Sequence, residues 1–345
     1  MYLYILDPLV DDRWNDLAAS HPKASVFHQT GWLKALAKTY GYQSLVLTST
    51  PPGKPLTDGL VFCEVKSWVT GDRLVSLPFT DHVEPLMNES QAAFGFAKWI
   101  RCEPRRLAWK YVEIRPLSEN LQDGDAFIAS RSFWLHTLDL TAPLDDIFRR
   151  FHKSCIQRRI GHAERQALTY EKGRSQELLE EFYRLLVITR RRLHLLPQPR
   201  AWFRNLIDCL SSNAEIRLVR KDRKAVAALF TLRHCDTLVY KYGCSDEEFH
   251  HLGGMPFLFW KLIEESKLTR AKFLDLGRTD LDDDGLITFK DRLGASRTRL
   301  TYFRHPEGGR NVTVALNSSV FRRVCFVLPS ALSSTLGRMA YRHIG

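Results

Sequence analysis

The sequence contains no run of about twenty apolar residues, which a membrane-spanning helix requires. The first residues, MYLYILDPLVDDRW, include three acidic positions before any basic one and no long apolar segment, so they do not resemble a signal peptide. We therefore expect a cytoplasmic protein, with association to a membrane surface left open.

Paired cysteines are also missing, because none of the seven cysteines belongs to a C-x-x-C motif and their number is odd. This pattern favours reduced, mostly buried thiols over disulfides. No cluster of residues has the spacing of a metal site, so the sequence predicts no metal. The cysteines are Cys63, Cys102, Cys155, Cys209, Cys235, Cys244 and Cys325.

The length of 345 residues suits two hydrophobic cores better than one. Hydrophobic residues make up 44% and charged residues 26%, as in folded globular proteins. The net charge of +11 favours anionic partners, including phosphorylated cofactors, nucleotide-linked sugars, RNA and anionic membrane surfaces.

Residue patterns predict a mixed α/β fold in two halves. In the first half we predict helices at 11–19, 29–40 and 89–102 and strands at 44–48, 59–66, 73–77, 107–114 and 134–138. Thr141 is a candidate N-cap for a helix that opens the second half. There we predict helices at 147–166, 175–194, 254–268 and 285–293 and strands at 215–220, 225–232, 237–243, 273–276 and 297–303.

The last segment, 306–345, begins with a loop and ends in an apolar and basic stretch that has no acidic residue from 319 onward. This composition is typical of an amphipathic tail that lies on a membrane surface. A helical surface of apolar and arginine side chains is predicted there, with Phe321, Val324, Phe326, Val327 and Leu328 beside Arg322, Arg323, Arg338 and Arg342.

Several short segments resemble the FemAB-like and BioF2-like acyltransferases of the GCN5-related N-acyltransferase (GNAT) superfamily. They keep the family's order along the chain: FHQTGW at 27–32, YGY at 40–42, SLPFTDH at 76–82, HKSCIQRRI at 152–160, YKYG at 240–243, DLGR at 275–278 and FKDRLGA at 289–295. The resemblance implies two tandem GNAT-like domains, 1–140 and 141–305, with the acceptor held between them.

Four residues are candidates for catalysis. The resemblance assigns Lys290 to stabilisation of an oxyanion or an ester phosphate, with its neighbour Phe289 as a buried anchor; the alternative is a solvated helical lysine. Asp275 lies at the end of a predicted strand, where α/β proteins place site residues. Asp81 and His82 follow a proline-containing turn and are candidates for acceptor binding or for the general base, with a simple turn role as the alternative.

Six further residues are candidates for substrate binding. Lys153, Arg158 and Arg159 would concentrate positive charge on a helix, which suits a diphosphate or simply a solvated basic face. Tyr240 and Tyr242 are predicted to share one face of a strand. Arg278, three residues after the Asp275 candidate, can hold a phosphate or carboxylate through two parallel hydrogen bonds, although a local turn contact is equally consistent.

Two features depart from related motifs. Gly253 and Gly254 are the candidate cofactor-binding residues, but the segment HHLGGM at 250–255 only partly matches the glycine-rich loop with which GNAT enzymes bind the diphosphate of coenzyme A (CoA) at a helix N-terminus. In the first half, Asn88 stands where the Fem ligases have a carboxylate, and an amide cannot act as a general base.

The resemblance implies an N-acyltransferase that moves an acyl group, other than an aminoacyl group, from acyl-CoA or a similar activated donor to an amine on a sugar, amino acid or cell-envelope precursor. The acceptor would be anionic or nucleotide-linked, as in peptidoglycan or polysaccharide biosynthesis. One alternative is a Fem-type ligase that uses aminoacyl-tRNA, which the basic charge also suits. Another is a non-catalytic binding protein that contacts membranes through its tail.

Overall fold

The computed structural model describes residues 2–87, 95, 98–100, 102–103, 108–118, 127–305 and 340–343. The chain divides into two compact units. Among the described residues, the first unit takes those within 2–132 together with 300–305 and 340–343, and the second unit takes 133–299. The predicted domain bounds of 1–140 and 141–305 stay a prediction.

The first unit is a small mixed sheet with two described helices. Its strands are β1 (Tyr4–Leu6), β2 (Gln43–Thr48), β3 (Leu60–Val65), β4 (Arg73–Val75) and β5 (Val112–Ile114), and its helices are α1 (Arg13–Ser20) and α2 (Thr30–Tyr40). Strand β5 pairs next with the end of the last strand of the chain, 296–305. Neighbouring strands are antiparallel except for β4 and β5, which are parallel.

The second unit contains most of the remaining elements. In chain order they are β6 (Ile128–Asp139), α3 (Leu144–Arg150), a π-helical turn (Lys153–Gln157), α4 (Arg158–Arg165), β7 (Thr169–Gly173), α5 (Gln176–Arg192), α6 (Arg200–Leu210), β8 (Ala214–Lys221), β9 (Lys224–His234), β10 (Thr237–Ser245), α7 (Gly254–Leu268), β11 (Phe273–Asp280), α8 (Asp284–Arg292) and β12 (Ser296–His305). Both β6 and β12 cross the division between the units.

The sheet of the second unit has the order β6-β11-β10-β9-β8-β7 and is antiparallel except between β10 and β11. Side chains from both of its faces are buried. Leu229 of β9 belongs to a cluster with Leu258 and Leu262 of α7, whereas the adjacent Phe230 packs against Phe182 of α5 and Phe203 of α6. Helices therefore cover this sheet on both sides.

The structure confirms the mixed α/β class, and several local predictions agree with it. Helix α7 spans the predicted residues 254–268, and β8, β9 and β10 form the predicted antiparallel meander. The hairpin turns depend on left-handed backbone at Asp222, Arg223 and Cys235, whose φ angles are 47°, 68° and 50°. Short polar side chains and turn positions tolerate this conformation best.

Three local predictions were wrong. The single helix predicted at 147–166 is interrupted because His152 is extended and donates its backbone N–H to the Arg292 carbonyl at 2.9 Å. Helix α6 was missed. Thr141 does not cap α3: its hydroxyl donates to the Asp139 carboxylate at 2.6 Å, and Pro143 occupies the N-cap position.

Three other predictions concern residues beyond those described. They are the helix at 89–102, apart from a few positions, the Asn88 substitution, and the tail 306–345, of which only 340–343 are described. Those four residues contain a helical turn. Within the described parts of the chain, no helix is both long and apolar enough to cross a membrane.

Candidate active site

A cavity of about 300 Å³ opens at the N-terminus of α7. The π-helical turn, α4, β9 and α8 supply its other walls. Apolar and basic side chains both reach it, as expected for a site that takes a ligand with an apolar arm and an anionic group. The lining residues are Cys155, Ile156, Arg159, Val226, Ala227, Ser245, Phe249, His250, Gly253, Gly254, Met255, Pro256, Gly285, Phe289 and Arg292.

Two glycines shape the start of α7. Gly253 has a φ of 77°, a left-handed conformation that favours glycine, and a Cβ there would lie 2.5 Å from the carbonyl oxygen of Arg159. Gly254 is the first residue of the helix, and a Cβ added there would meet Val226 and Ala227 at ordinary contact distance. The helix itself offers no carbonyl acceptor to the amides of Gly254 and Met255, so an anion in the cavity can receive them.

The basic candidates differ in whether they line the cavity. Arg159 lines the cavity and donates to the carbonyls of His250 and His251 at 3.4 and 3.1 Å, which fixes the loop before α7. Lys153 and Arg158 are exposed. Arg292 of α8, which was not among the candidates, also lines the cavity.

Strands β10 and β11 separate close to their beginnings. In the described residues they pair only over Thr237–Val239 and Phe273–Asp275. Beyond this point β10 continues beside β9 to Ser245, and β11 continues beside β6 to Asp280. Each strand has a register irregularity there, between Tyr240 and Tyr242 in β10 and between Asp275 and Arg278 in β11. Beyond this point the two strands no longer pair with each other in the described residues.

Lys290 is buried, with only 2% of its surface exposed. Its ammonium donates to the Gly277 carbonyl at 2.9 Å, the Arg278 carbonyl at 3.3 Å and the Thr279 hydroxyl at 2.8 Å. It therefore binds the irregular segment of β11. The interpretation as a solvated lysine is therefore wrong, whereas the role in stabilising an oxyanion stays a prediction. Phe289, predicted to be a buried anchor, is only partly buried and lines the cavity.

Asp275 and Arg278 flank the same segment of β11. Asp275 is 6% exposed, and its carboxylate accepts the Gly277 N–H at 2.7 Å. Arg278 is half-buried and its guanidinium lies 4.3 Å from the centre of the Phe133 ring. Gly277, with a φ of 72°, permits the bend between them. The structure thus brings Asp275, Arg278 and Lys290 together around one bulge.

His136 of β6 lies near this cluster and was missed by the sequence analysis. It is fully buried, and its Nε2 is 3.5 Å from a carboxylate oxygen of Asp291. Burial, together with the positive charges of Lys290 and Arg297, lowers the pKa of His136 to about 4, although Asp291 acts in the opposite direction. At neutral pH this imidazole is uncharged. Its place in a strand next to leucine and threonine carries no recognisable motif.

The two tyrosine candidates do not share a face of β10, contrary to prediction. The irregularity at Lys241 pairs Tyr240 with Thr231 but Tyr242 with Phe230, which are adjacent residues on β9. One extra residue in a strand reverses the alternation of its side chains. The Tyr240 ring accordingly packs against Phe259 of α7. Tyr242 is buried on the other side.

Tyr242 contacts helix α6. Its hydroxyl accepts the Trp202 indole N–H at 2.9 Å, and its ring meets Phe203 edge to face at 5.0 Å. These contacts serve the core of the second unit. They could not be foreseen while α6 itself was missing from the predicted elements.

Asp81 and His82 belong to the first unit, in the segment 76–84 after β4. Asp81 is half-buried, and its carbonyl accepts the Tyr302 hydroxyl at 2.6 Å. His82 is 7% exposed and its ring meets Phe27 edge to face at 5.7 Å. The segment contains two non-glycine residues in left-handed conformation, Leu77 and Phe79.

Comparison with known families identifies the region that contains the cavity. Residues 149–290 match the acetyltransferase (GNAT) domain family. These residues form a GNAT domain. The domain includes the basic turn, the α7 N-terminus, the separated strands and Lys290. No curated protein matches the sequence.

Solved structures extend the likeness beyond the GNAT domain to most of the chain. FemX is 14% identical and has a TM-score of 0.69, covering 89% of this chain and 98% of its own. A tandem GNAT protein from the clavulanic acid biosynthesis pathway is 13% identical with a TM-score of 0.56, covering 90% and 100%. The C-terminal domain of a proposed lysylphosphatidylglycerol synthetase from Agrobacterium fabrum is 13% identical with a TM-score of 0.57, covering 90% and 94%. At these identities the likeness establishes a FemAB-like tandem GNAT fold.

Proposed function

We propose that this protein is an N-acyltransferase whose GNAT domain binds acyl-CoA and transfers the acyl group to an amine. The observations that carry the proposal are the cavity at the N-terminus of α7 and the separation of β10 from β11. One feature suits the diphosphate of CoA and the other suits its extended pantetheine arm.

The anionic part of the donor would bind at the helix terminus. The amides of Gly254 and Met255 carry the positive end of the helix dipole, and Arg292 adds a full charge to the same cavity. Arg159 would hold the loop before α7 in place as well as contact the ligand, since its guanidinium already donates to two carbonyls of that loop. Because Gly253 has no Cβ, the loop can lie close to the backbone of Arg159.

The pantetheine arm would lie between β10 and β11 where the two strands no longer pair. Its two amides can pair with backbone N–H and C=O groups, as an added strand does. The amine would then attack the thioester carbon: an N–C bond forms, the C–S bond breaks, the amine loses a proton to a base and the thiolate takes one up. Asp275 is the proposed candidate for that base, and Arg278 for holding an acidic group of the acceptor, whereas the roles of Asp81 and His82 in the first unit stay predictions from sequence.

Lys290 would support this site through its hydrogen bonds to β11. Its contacts with Gly277, Arg278 and Thr279 supply donors to β11 where β10 has moved away. We therefore assign to Lys290 the positioning of the bulge that carries Asp275 and Arg278. Direct stabilisation of the oxyanion is the competing role, and the two make different predictions.

An aminoacyl-tRNA donor is the second candidate. The exposed Lys153 and Arg158 lie on elements that line the cavity and would suit a phosphate backbone. Cell-envelope precursors are the proposed acceptors, in keeping with the similarity to the C-terminal domain of a lysylphosphatidylglycerol synthetase. Either donor class is compatible with the geometry of the GNAT domain described above.

A binding experiment separates the donors. We expect CoA and acetyl-CoA to raise the melting temperature of the wild-type protein, because a ligand at about 100 times its Kd adds about 2.7 kcal/mol to folding stability. Gly253→Ala should abolish the shift, and Arg292→Ala should weaken it. Gly254→Ala is the matched control, since its added Cβ meets only ordinary contacts. A shift with charged tRNA but with neither CoA compound would overturn the acyl-CoA proposal.

Turnover separates the two roles of Lys290. If Lys290 stabilises an oxyanion, Lys290→Met should slow turnover about 100-fold to 1000-fold while Thr279→Val leaves it unchanged. If Lys290 positions the bulge, Thr279→Val should also slow turnover, and the two effects should not add. Thr279 is 2% exposed, so the valine cannot act by touching substrate. Unchanged turnover in Lys290→Met at an unchanged melting temperature would remove the residue from the site.

A further inference from the structure

The cavity at the start of α7 contains a hydrogen-bonded pair of polar side chains in addition to its arginines and glycines. The Nε2 atom of His250 lies 2.8 Å from the hydroxyl oxygen of Ser245, and both residues line the cavity. Ser245 ends β10, and His250 lies in the 3₁₀-helical turn Glu247–Leu252 that leads to Gly253. The pair therefore lies in the same cavity as the amides at the helix terminus.

Ser245 is fixed in place by Thr189 of α5. Its backbone N–H donates to the Thr189 hydroxyl at 2.9 Å, and its carbonyl accepts from that hydroxyl at 3.0 Å. Ser245 is 8% exposed and Thr189 is buried beside it. The serine hydroxyl is thus a nearly buried group in a fixed position, whereas His250 is more exposed and can exchange protons with water.

The main chain at His250 is also held. Arg159 donates from its Nη1 atom to the carbonyls of His250 and His251 at 3.4 and 3.1 Å. The imidazole of His250 therefore projects from a loop that is tied to α4. Arg159 itself lines the cavity, so a charge on the imidazole would act on the same ligand as the guanidinium.

The charges of the protein itself favour the neutral form of His250. Partial burial of the ring and the positive charge of Arg192 lower its pKa, and the opposing effects of Glu247 and Asp246 are smaller. Lys224 weakens the effect of Asp246, because its ammonium lies 3.5 Å from that carboxylate. The other charged or titratable groups that line the cavity or flank the turn are Cys155, Arg159, Glu248 and Arg292.

A diphosphate in the cavity would reverse this preference. Its negative charges would lie near the N-terminus of α7 and would favour the imidazolium form of His250. Protonation also sets the direction of the hydrogen bond to Ser245, because both ring nitrogens of an imidazolium donate. The hydroxyl hydrogen of Ser245 is then left for an oxygen of the ligand. One proton thus adds a positive charge and also provides a second hydrogen-bond donor.

We propose that His250 takes up a proton when the donor binds and, together with Ser245, recognises the diphosphate. The inference rests on the proposed binding of acyl-CoA at the N-terminus of α7. Because only the protonated ring supplies the charge and frees the serine hydroxyl, donor binding becomes tighter as pH falls. In the described residues the neighbouring His251 is exposed and does not line the cavity, so it is a matched control.

The test uses dephospho-CoA, which keeps the diphosphate but lacks the 3′-phosphate, a group that would itself titrate near pH 6. Calorimetry should give the wild type a Kd about fivefold to tenfold lower at pH 6 than at pH 8. In His250→Gln, whose amide can still contact Ser245 but does not titrate, the two Kd values should be equal. His251→Gln should behave like the wild type.

A second measurement detects the proton directly. Titrations at pH 7 in two buffers with different enthalpies of ionisation should show proton uptake in the wild type and in His251→Gln but not in His250→Gln. Ser245→Ala should weaken binding more at pH 6 than at pH 8, because the hydroxyl becomes a donor to the ligand only beside the imidazolium.

The outcomes separate this inference from the proposed function. Binding of dephospho-CoA with the same Kd at both pH values, or equal proton uptake in wild type and His250→Gln, would overturn the role of His250 and leave the acyl-CoA proposal standing. No binding of either dephospho-CoA or acetyl-CoA at either pH would overturn both.

Discussion

Each unit buries a cation that binds the carbonyls of an irregular stretch of backbone, but the other groups around the cation differ. In the second unit, Lys290 donates to two carbonyls and a hydroxyl of the β11 bulge. In the first unit, Arg115 donates to two carbonyls of the segment 76–84 and also pairs with the Glu113 carboxylate. The first arrangement uses neutral oxygens and the second adds an ion pair.

The difference follows from what each backbone needs. A strand bulge presents a few oxygens close together, which the three N–H groups of one ammonium can reach. The longer segment 76–84 needs contacts several residues apart, which the guanidinium fork of Arg115 spans while Glu113 fixes its orientation. The ion pair also makes the first unit more dependent on its cation, because removing one partner leaves a buried charge behind.

The largest expected effect is on stability, and it tests that dependence. Arg115→Met should lower the free energy of unfolding by about 3–5 kcal/mol, because Glu113 stays buried with only part of its compensation. Lys290→Met should cost less, under about 2 kcal/mol, since the loss of hydrogen bonds is offset by removal of a buried charge. Urea unfolding measures both. Equal losses, or a larger loss in Lys290→Met, would contradict the comparison.

A matched variant isolates the ion pair. Arg304→Met leaves Glu113 paired with Arg115, and the Arg304 side chain is already 18% exposed. Its cost should therefore fall clearly below that of Arg115→Met. Urea unfolding measures both variants. Equal losses in Arg304→Met and Arg115→Met would argue against a special role for Arg115.

The pH dependence of stability should also differ between the units. The folded pKa of His136 is about 4, below its ordinary 6.5, so the unfolded chain binds a proton that the folded protein does not. The stability it supports is complete above pH 6.5 and falls by up to about 3 kcal/mol as pH drops towards 4. Glu113, whose pKa is lowered, affects stability at more acidic pH. The stability that it contributes is lost only as pH falls below the ordinary glutamate pKa of 4.5.

Two variants check this window. The difference in unfolding free energy between wild type and His136→Leu should change between pH 6.5 and 4 and stay constant above it. Lys290→Met should raise the pKa of His136 in an NMR titration, because a nearby positive charge is removed. A His136 resonance that titrates near 6.5 in the wild type would refute the assignment.

Much of the second unit was predictable from sequence because its elements are long and periodic. The apolar spacing in α7 and the turns between β8, β9 and β10 are local signals. The bulges in β10 and β11 are not, because they arise where two neighbouring strands separate. That is why Tyr240 and Tyr242 were placed on one face and why Lys290 was not predicted to be buried.

Arg115 shows the same limit in the first unit. Its loop partners Leu77 and Thr80 lie 38 and 35 positions away, so nothing near residue 115 signals its contacts. The one local indication is Glu113, two residues earlier and therefore on the same side of an extended chain. Family resemblance supplied the loop motif at 76–82, but resemblance to a motif does not identify the side chain that holds it.

The smallest expected effect separates the charge of Lys290 from its hydrogen bonds. Thr279→Val removes a buried hydroxyl acceptor and keeps nearly the same shape, so it should cost about 1 kcal/mol in unfolding free energy. The ammonium stays in place, bound to the two carbonyls of the bulge. The pKa of His136 should therefore stay near 4 in Thr279→Val, whereas it rises in Lys290→Met. An NMR titration of both variants, with wild type beside them, measures this. If the pKa rises equally in both, the ammonium has moved when one contact was lost, and Lys290 is held less firmly by the bulge than Arg115 is by its carboxylate.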